Sequence, residues 1–329
     1  MKLAFLAFTE KGFALAGSLA QSLGGSVMRC GKPDSLSDWT KKHFANDDGL
    51  VFVGAVGIAV RAIAPYIEKK WKDPAVVAVD ECAQFAVPLL SGHLGGANRL
   101  ARAVSEVCGA QAVITTATDV NGVFAVDEWA RCQELSVIDP QHIKLISGKL
   151  LAGDSVKVYS PYPIEGECPI GVEAAETLPA DVAVSIRQEK AVLSLAPKTV
   201  VLGVGCRKAT PQSTIESVLE RFLQQNKLHI ESICAVASID LKKEEPGLIA
   251  FCRSHGWEFQ TCTAEELRQV AGEFTPSAFV SQITGVDNVC ERSAVFASGG
   301  DLFVKKFAAD GVTMAAAEKP LRLDWNWNR

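Results

Sequence analysis

The chain has 329 residues, of which 48% are hydrophobic, and its formal net charge at pH 7 is −5. This supply of apolar side chains excludes an intrinsically disordered chain and is enough for about two or three folded domains. The acidic balance gives no electrostatic reason to bind nucleic acid or an anionic membrane, so local groups must hold any acidic ligand.

The ten cysteines are scattered singly along the chain, without a C-x-x-C pair, which is typical of reduced thiols in the cytoplasm. Cys252 and His255 have a helical spacing, but no second ligand pair accompanies them, and we predict no metal site. The apolar run in MKLAFLAFTEKG is too short for a signal or a membrane span, and Lys11 interrupts it. We therefore expect a cytoplasmic protein without a membrane or nucleic-acid partner.

Strand and helix patterns alternate from the start of the chain. Such alternation predicts a mostly parallel sheet with functional groups at the carboxyl ends of its strands. The stretch GAVGIAVRA at 54–62 lacks the third glycine and the strand-end acid of a dinucleotide fingerprint, so we interpret it as a turn with Arg61 above it. Alternatively, Arg61 only pairs with a surface carboxylate. The spacing predicts strands at 2–8, 27–30 and 50–53 and helices at 13–23, 36–44 and 58–67, with Arg61 near the start of the last.

Residues 73–101 combine the features that point most strongly to chemistry. A predicted strand ends at Asp80 and Glu81, and a second strand at 85–90 leads into Ser91 and His93. Gly95 and Gly96 then open a helix whose first N–H groups lack intrahelical partners, and such groups favour a carboxylate or phosphate oxygen. The loop therefore suits binding of an acidic substrate and transfer of a proton.

A hydroxyl-rich loop follows the next predicted strand, at 112–115. Thr115, Thr116, Thr118 and Asp119 suit hydrogen bonding to carboxylate or amide oxygens and orientation of a nearby imidazole. The alternative interpretation is a simple turn followed by a capped helix that starts near Asp127.

The composition and the hydrophobic pattern of the sequence change at residue 134. Prolines, glycines and short strand patterns there predict a small middle segment that ends at Pro197. A second α/β pattern then begins with a strand at 199–205. The strand is followed by a loop of Gly205, Cys206, Arg207 and Lys208, and then by a predicted helix with Thr210 as its N-cap and Pro211 as its first residue. Because the loop leads into the N-terminus of a helix, we predict that it forms an anion pocket.

We predict an α/β protein with three parts. They are a mostly parallel N-terminal α/β domain (1–133), a small middle α+β domain or connector (134–197) and a three-layer C-terminal α/β domain (198–329).

Eight stretches of the sequence recur in a family-specific order. They are GAVGIAVRAIAP (54–65), DPAVVAVDE (73–81), PLLSGHLGGAN (88–98), ITTATD (114–119), VLGVGCRKATP (201–211), SIDLKKEEPGL (238–248), GVDNVCERSAV (285–295) and VKKFAADGVTMAAA (304–317). Together they resemble the cobalt-precorrin-5A hydrolase family (CbiG) of anaerobic cobalamin biosynthesis. The resemblance covers nearly the whole chain, with two departures: Ala209 stands where the family pattern leads us to expect glycine, and Cys82 lies in a turn where charged residues are usual.

The resemblance implies that water opens the ring-A δ-lactone of cobalt-precorrin-5A and that a two-carbon fragment leaves as acetaldehyde, giving cobalt-precorrin-5B. It implies no organic cofactor, because water is the co-substrate and the substrate carries the cobalt. The partners that we expect besides the substrate are a second copy of the chain, in a homodimer, or neighbouring pathway enzymes in transient contact.

His93 is the predicted general base, because it is an imidazole on a loop. Asp80 or Glu81 is expected to orient His93 or to act as the base itself, and Ser91 is an alternative nucleophile. One competing function is a non-catalytic tetrapyrrole-binding or carrier protein. Another is a nucleotide-dependent transferase, and the absence of a complete nucleotide-binding fingerprint argues against the transferase. The predicted substrate-binding residues are Arg61, Gly95, Gly96, Asn98, Thr115, Thr116, Asp119, Gly205, Cys206, Arg207 and Lys208.

Overall fold

The computed structural model describes residues 1–31, 33–69 and 71–327. In this part of the chain the residues cluster into two compact units, Met1–Glu128 and Trp129–Arg329. The predicted division at residues 133 and 197 stays a prediction, although residues 135–197 and 200–318 do contribute to separate sheets.

The described part of the first unit contains one six-stranded sheet with the order β2-β1-β3-β4-β5-β6. Strands β2, β1, β3 and β4 are parallel, whereas β5 runs antiparallel to β4 and β6 runs parallel to β5. The strands are β1 (Leu3–Ala7), β2 (Ser26–Arg29), β3 (Gly49–Val53), β4 (Ala75–Val79), β5 (Phe85–Leu90) and β6 (Gln111–Ala112).

Helices cover both faces of this sheet. Helices α1 and α4 cover the face that carries Phe5 and Val77, and α2 and α3 cover the face that carries Leu6 and Phe52. Each strand therefore contributes side chains to both cores, which explains why β1, β3 and β4 are buried along their whole length. The helices of the first unit are α1 (Glu10–Leu23), α2 (Leu36–Asn46), α3 (Val56–Ile63), α4 (Ala97–Cys108) and α5 (Ala117–Asn121). The next helix, α6 (Val126–Cys132), includes the last residues of the first unit and the first residues of the second.

The reversal of β5 separates two edges of the sheet. Only residues 80–84 lie between β4 and β5, and a parallel crossover needs about a dozen residues or more. Asp80 stabilises the tight turn, because its carboxylate accepts hydrogen bonds from the backbone N–H groups of Cys82, Gln84 and Phe85. We call the edge where β1 to β4 end the Asp80 edge, and the opposite edge, where β5 and β6 end, the His93 edge.

The second unit begins with a sheet of short strands. Among its described residues the order is β10-β8-β11-β12-β7, with β7 antiparallel to β12 and the other neighbours parallel. The elements are β7 (Leu135–Val137), α7 (Ile143–Leu151), β8 (Val156–Tyr159), β9 (Ile164–Glu165), β10 (Val172–Ala175), β11 (Ala180–Val184) and β12 (Ala191–Pro197).

The rest of the second unit is a three-layer α/β arrangement, as predicted. Its described sheet has the order β15-β14-β13-β17-β16, parallel from β13 to β15 and antiparallel at β17 and β16. Helices α8 and α9 pack into the core on one face, and α12 contacts β13, β14 and β17. The elements are β13 (Val200–Cys206), α8 (Gln212–Asn226), β14 (Ile233–Ile239), α9 (Pro246–His255), β15 (Glu258–Cys262), α10 (Ala264–Gln269), α11 (Ala278–Thr284), α12 (Cys290–Ser298), β16 (Asp301–Ala309) and β17 (Val312–Glu318).

The carboxyl-terminal tail packs back within the second unit. Strand β18 (Leu323–Asp324) pairs with β9, and the indole of Trp325 stacks on that of Trp129 with a centroid distance of 5.2 Å. All ten cysteines lie among the described residues and are free thiols. None of the helices in the described ranges has the length and apolarity needed to cross a bilayer.

Two local predictions are wrong. Arg61 lies in the last turn of α3 rather than near its start, because the helix begins at Val56 and ends at Ile63. Pro211, not Thr210, is the N-cap of α8, and the hydroxyl of Thr210 instead donates a hydrogen bond to the backbone oxygen of Arg207.

Ala209 occupies the left-handed region with a φ of 58°. Because glycine adopts this conformation without the Cβ penalty, we expect Ala209→Gly to raise the free energy of unfolding by about 0.5–1 kcal/mol. The control is Ala152→Gly, an exposed alanine with a φ of −78°, which should lower that free energy by about 0.5–1 kcal/mol. Urea denaturation of both variants measures the two effects, and destabilisation by Ala209→Gly would contradict the backbone assignment.

Candidate functional site

The loop between β5 and α4 is closed by its own backbone. The N–H groups of Gly96, Ala97 and Asn98 donate to the carbonyl oxygens of His93, Ser91 and Gly92, at 2.7, 3.0 and 2.9 Å. These donors are therefore engaged inside the loop. The prediction that the first amides of this helix are free for a substrate anion is wrong for these three positions.

Gly95 is explained by packing. A Cβ on Gly95 would lie 2.4 Å from the Cβ of Ser91 and 3.2 Å from the backbone oxygen of Asp73. Gly96 is the N-cap of α4 in the left-handed region, with a φ of 83°. Both glycines thus shape the loop that presents His93, and their predicted contact with substrate stays a prediction.

The side chain of His93 lies between two carboxylates. Its Nε2 atom is 2.7 Å from Oδ2 of Asp119, and its Nδ1 atom is 3.2 Å from Oδ2 of Asp127. All three side chains are largely buried, with exposed fractions of 12% for His93, 15% for Asp119 and 7% for Asp127. Both ring nitrogens are therefore engaged.

Asp119 is fixed by two further donors from α4. The amide nitrogen of Asn98 donates to Asp119 Oδ2 at 3.1 Å and to the hydroxyl of Thr116 at 2.8 Å. The guanidinium of Arg102 donates to Asp119 Oδ1 at 2.6 Å. The two cations and two carboxylates have a net charge of zero, which is the condition under which a partly buried charged network is tolerated.

The network controls protonation. Burial alone would lower the pKa of His93, but the carboxylates of Asp127 and Asp119 outweigh it and raise the pKa from 6.5 to about 9. Burial likewise favours a higher pKa for Asp119, but the hydrogen bonds from His93 and Arg102 hold its pKa below the usual value. At neutral pH the ring is thus an imidazolium. In this arrangement it can donate a proton but has no lone pair with which to accept one.

Asp80 and Glu81 are absent from this described network. They follow β4 on the Asp80 edge, whereas His93 follows β5 on the opposite edge. Strand β4 has five residues and spans roughly 16 Å at about 3.3 Å per residue. The expectation that Asp80 or Glu81 orients His93 is therefore wrong: Asp80 stabilises its own turn, and Glu81 accepts a hydrogen bond from the hydroxyl of Thr9 at 2.7 Å.

The other predicted residues of the first unit fall on both edges. Ser91 is on the His93 edge with a φ of 58°, and its buried hydroxyl has no hydrogen-bond partner among the described residues. Thr115 is exposed close to Thr116 and Asp119. Arg61 lies on α3, and its guanidinium nitrogen is 3.9 Å from the position that a Cβ on Gly57 would occupy. Its side chain therefore points back towards the N-terminus of α3, which lies at the Asp80 edge.

The predicted anion loop of the second unit lies at the end of β13. Arg207 and Lys208 are exposed, and Gly205 and Cys206 are half-buried. The loop is held by Glu245, whose buried carboxylate accepts the Ala209 N–H at 2.7 Å. The contact of Gly205, Cys206, Arg207 and Lys208 with a substrate stays a prediction.

Asp127 and Arg102 are the residues that the sequence reasoning missed. Asp127 lies 34 positions after His93, and periodicity carries no information on such a contact. A weak signal was present, because Asp127 sits in the mostly apolar stretch AVDEWA, where a buried acid needs a partner. Arg102 follows Asn98 by one helical turn, which places both side chains on one face of α4.

No group of three His, Cys, Asp or Glu side chains among the described residues is arranged to hold a metal ion. The His93 cluster instead pairs each ring nitrogen with a carboxylate.

Comparisons with known proteins identify the family. The model described as Cobalamin synthesis G N-terminal matches residues 38–119, and the one described as Cobalamin synthesis G C-terminus matches residues 200–317. Cobalt-precorrin-5A hydrolase of Salmonella typhimurium is 35% identical over 337 residues, covering 95% of this chain and 96% of its own. The chain belongs to the cobalt-precorrin-5A hydrolase family.

The chain is also similar to the cobalt-precorrin-5A hydrolase of a second organism and to a solved structure. The enzyme of Priestia megaterium is 30% identical over 303 residues, covering 84% of this chain and 80% of its own. The crystal structure of a cobalamin biosynthesis protein G homolog from Sulfolobus solfataricus is 22% identical, with a TM-score of 0.41, and covers 96% of this chain and 97% of its own.

The raised pKa predicts how the stability of this family member depends on pH. A histidine whose pKa is higher in the folded than in the unfolded state stabilises the fold fully below about 6.5, and this contribution is lost as the pH rises through about 9. We expect His93 to titrate near 9 by NMR of its ring. Asp127→Asn should move the midpoint towards 6.5, because one carboxylate is removed. A wild-type midpoint near 6.5 would contradict the described network.

Proposed function

We propose that this chain is a cobalt-precorrin-5A hydrolase of cobalamin biosynthesis. It opens the ring-A δ-lactone with water and releases acetaldehyde to give cobalt-precorrin-5B. The observation that carries the proposal is the 35% identity to a curated cobalt-precorrin-5A hydrolase over 95% of the chain. The match covers 95% of this chain and 96% of its relative, so it includes both units.

We propose further that the reaction needs no organic cofactor and that the substrate brings the cobalt. Water is the co-substrate, and lactone hydrolysis involves no electron transfer. The net charge of −5 and the free thiols are consistent with a cytoplasmic protein whose partner is a small molecule rather than nucleic acid or membrane. The proposal also includes a homodimer or transient contact with neighbouring pathway enzymes.

We place the reaction at the His93 edge. When water attacks the lactone carbonyl, the leaving alkoxide needs a proton, and the His93 imidazolium is charged at neutral pH. Asp119 is the more exposed of its two carboxylate partners. Nε2 is therefore the nitrogen that a substrate reaches, and the lactone oxygen takes the place of the Asp119 carboxylate there. The neutral imidazole then accepts the hydroxyl proton as the carbon–carbon bond breaks. The alcohol carbon leaves as the carbonyl carbon of acetaldehyde, and the electron pair of the broken bond goes to the macrocycle carbon, which takes up a proton. His93 thus acts first as an acid and then as the predicted base.

The remaining predicted residues take supporting roles in this proposal. Asn98 donates to Asp119 and fixes it on the side of the ring that the substrate approaches, and the Thr116 hydroxyl orients Asn98 by accepting from the same amide nitrogen. Thr115 is exposed next to them and binds a peripheral carboxylate. Asp80 and Glu81 act in the turn on the other edge, where their hydrogen bonds lie, and the chemistry does not use them.

Acetaldehyde release from cobalt-precorrin-5A tests the function. We expect the purified wild-type protein to release acetaldehyde and His93→Gln to lose at least about a hundredfold in kcat, as for removal of a general acid–base group. Glu81→Gln is the matched control, because it alters a carboxylate on the other edge, and it should keep kcat within about threefold. Binding without acetaldehyde release by the wild type would instead establish the carrier function.

The pH dependence tests the role of His93 more finely. Because the protonated ring donates in the first step, kcat should fall as the pH rises through about 9. Asp119→Asn removes a charge that favours the imidazolium, so this alkaline limb should move to lower pH. Glu81→Gln should leave the limb in place. An unshifted limb in Asp119→Asn would remove His93 from the acid role.

A further inference from the structure

A turn that precedes β4 lies beside the His93 loop. The N–H groups of Lys72 and Asp73 both donate to the backbone oxygen of Lys69, at 2.8 and 2.9 Å. The carboxylate of Asp73 is buried and accepts the N–H of Glu68, and Pro74 is buried behind it. The base of the turn is therefore anchored, while its tip carries Trp71.

The anchor of this turn touches the loop that presents His93. The backbone oxygen of Asp73 lies 3.2 Å from the position of a Cβ on Gly95, so the two segments are in close backbone contact. Trp71 is two residues from this contact on one side, and His93 is two residues from it on the other. Because β4 begins just after the turn, Trp71 lies on the His93 edge.

The turn and the residues just before it expose apolar and cationic groups. Trp71 is 39% exposed and Ile67 is 46% exposed. The Lys69 ammonium lies 5.6 Å from the centroid of the Trp71 ring, and Lys72 is exposed next to it. A large exposed indole beside a candidate reaction centre indicates a surface that a ligand covers.

We propose that Trp71 and Ile67 form the platform on which the face of the substrate macrocycle rests, and that Lys69 and Lys72 bind its peripheral carboxylates. This inference rests on the proposed function, because it takes an acid-rimmed tetrapyrrole as the occupant. A conjugated ring stacks on an indole, and acetate and propionate groups at its rim meet the two ammonium groups. With its face on Trp71, a macrocycle reaches across the Asp73–Gly95 contact to His93.

Binding of an unreactive corrinoid tests the platform apart from turnover. The probe is cobyrinic acid, a cobalt corrinoid with free acetate and propionate groups, and calorimetry measures its Kd. We expect Trp71→Ala to raise Kd by at least about tenfold, as for loss of one stacking contact, and Trp71→Phe to raise it by less than about threefold. Trp257→Phe, which alters a tryptophan of the second unit, should leave Kd unchanged.

A second pair of variants tests the cations. Lys69→Gln with Lys72→Gln should raise the Kd for cobyrinic acid and flatten its dependence on salt, because two charge contacts are removed. The exposed Lys41 and Lys42 provide the matched control, and their double replacement by Gln should leave Kd and its salt dependence unchanged.

The outcomes separate this inference from the proposed function. Wild-type affinity in Trp71→Ala, or no corrinoid binding by the wild type, overturns the platform even if cobalt-precorrin-5A still yields acetaldehyde. Absence of acetaldehyde with an intact Trp71-dependent corrinoid affinity overturns the hydrolase and leaves the platform standing. Because Trp71 is exposed at a turn, thermal unfolding of Trp71→Ala should match the wild type within a few degrees.

Discussion

His93 is held between Asp119 and Asp127, and the rest of the site depends on this contact. Three charged side chains that are largely buried would destabilise the fold if one of them lacked a partner. The alternation of carboxylate, imidazolium, carboxylate and the Arg102 guanidinium avoids that, since the four charges cancel. The same alternation keeps the ring protonated above its usual pKa, so the stability of the network and its capacity to supply a proton have one physical origin.

The direction of β5 decides which residues belong to this network. Strands β5 and β6 both end on the His93 edge, and they bring His93 and Asp119 together from loops that are 26 positions apart. The first four strands end on the other edge, with Arg61, Asp80 and Glu81. A single tight turn thus divides residues that are close in sequence between two separate places.

The sequence predicted the α/β class, most strands of the first sheet and the loop that carries His93, because these depend on local periodicity and glycine placement. It also contained evidence for the reversal of β5, since five residues between two strands are too few for a parallel crossover. The contact of His93 with Asp127 depends on tertiary packing of α6, which periodicity does not reveal. The engaged amides of Ala97 and Asn98 were missed because periodicity does not show how the backbone of a loop closes on itself.

A double-mutant cycle on unfolding free energy tests the central claim most directly. His93→Gln and Asp119→Asn should be non-additive by about 1–3 kcal/mol at pH 7, because the two side chains share one ion pair. His93→Gln and Glu81→Gln should add within about 0.5 kcal/mol, since they lie on opposite edges. Additivity in the first pair would contradict the ion pair between His93 and Asp119, and coupling in the second pair would contradict the arrangement of the two edges.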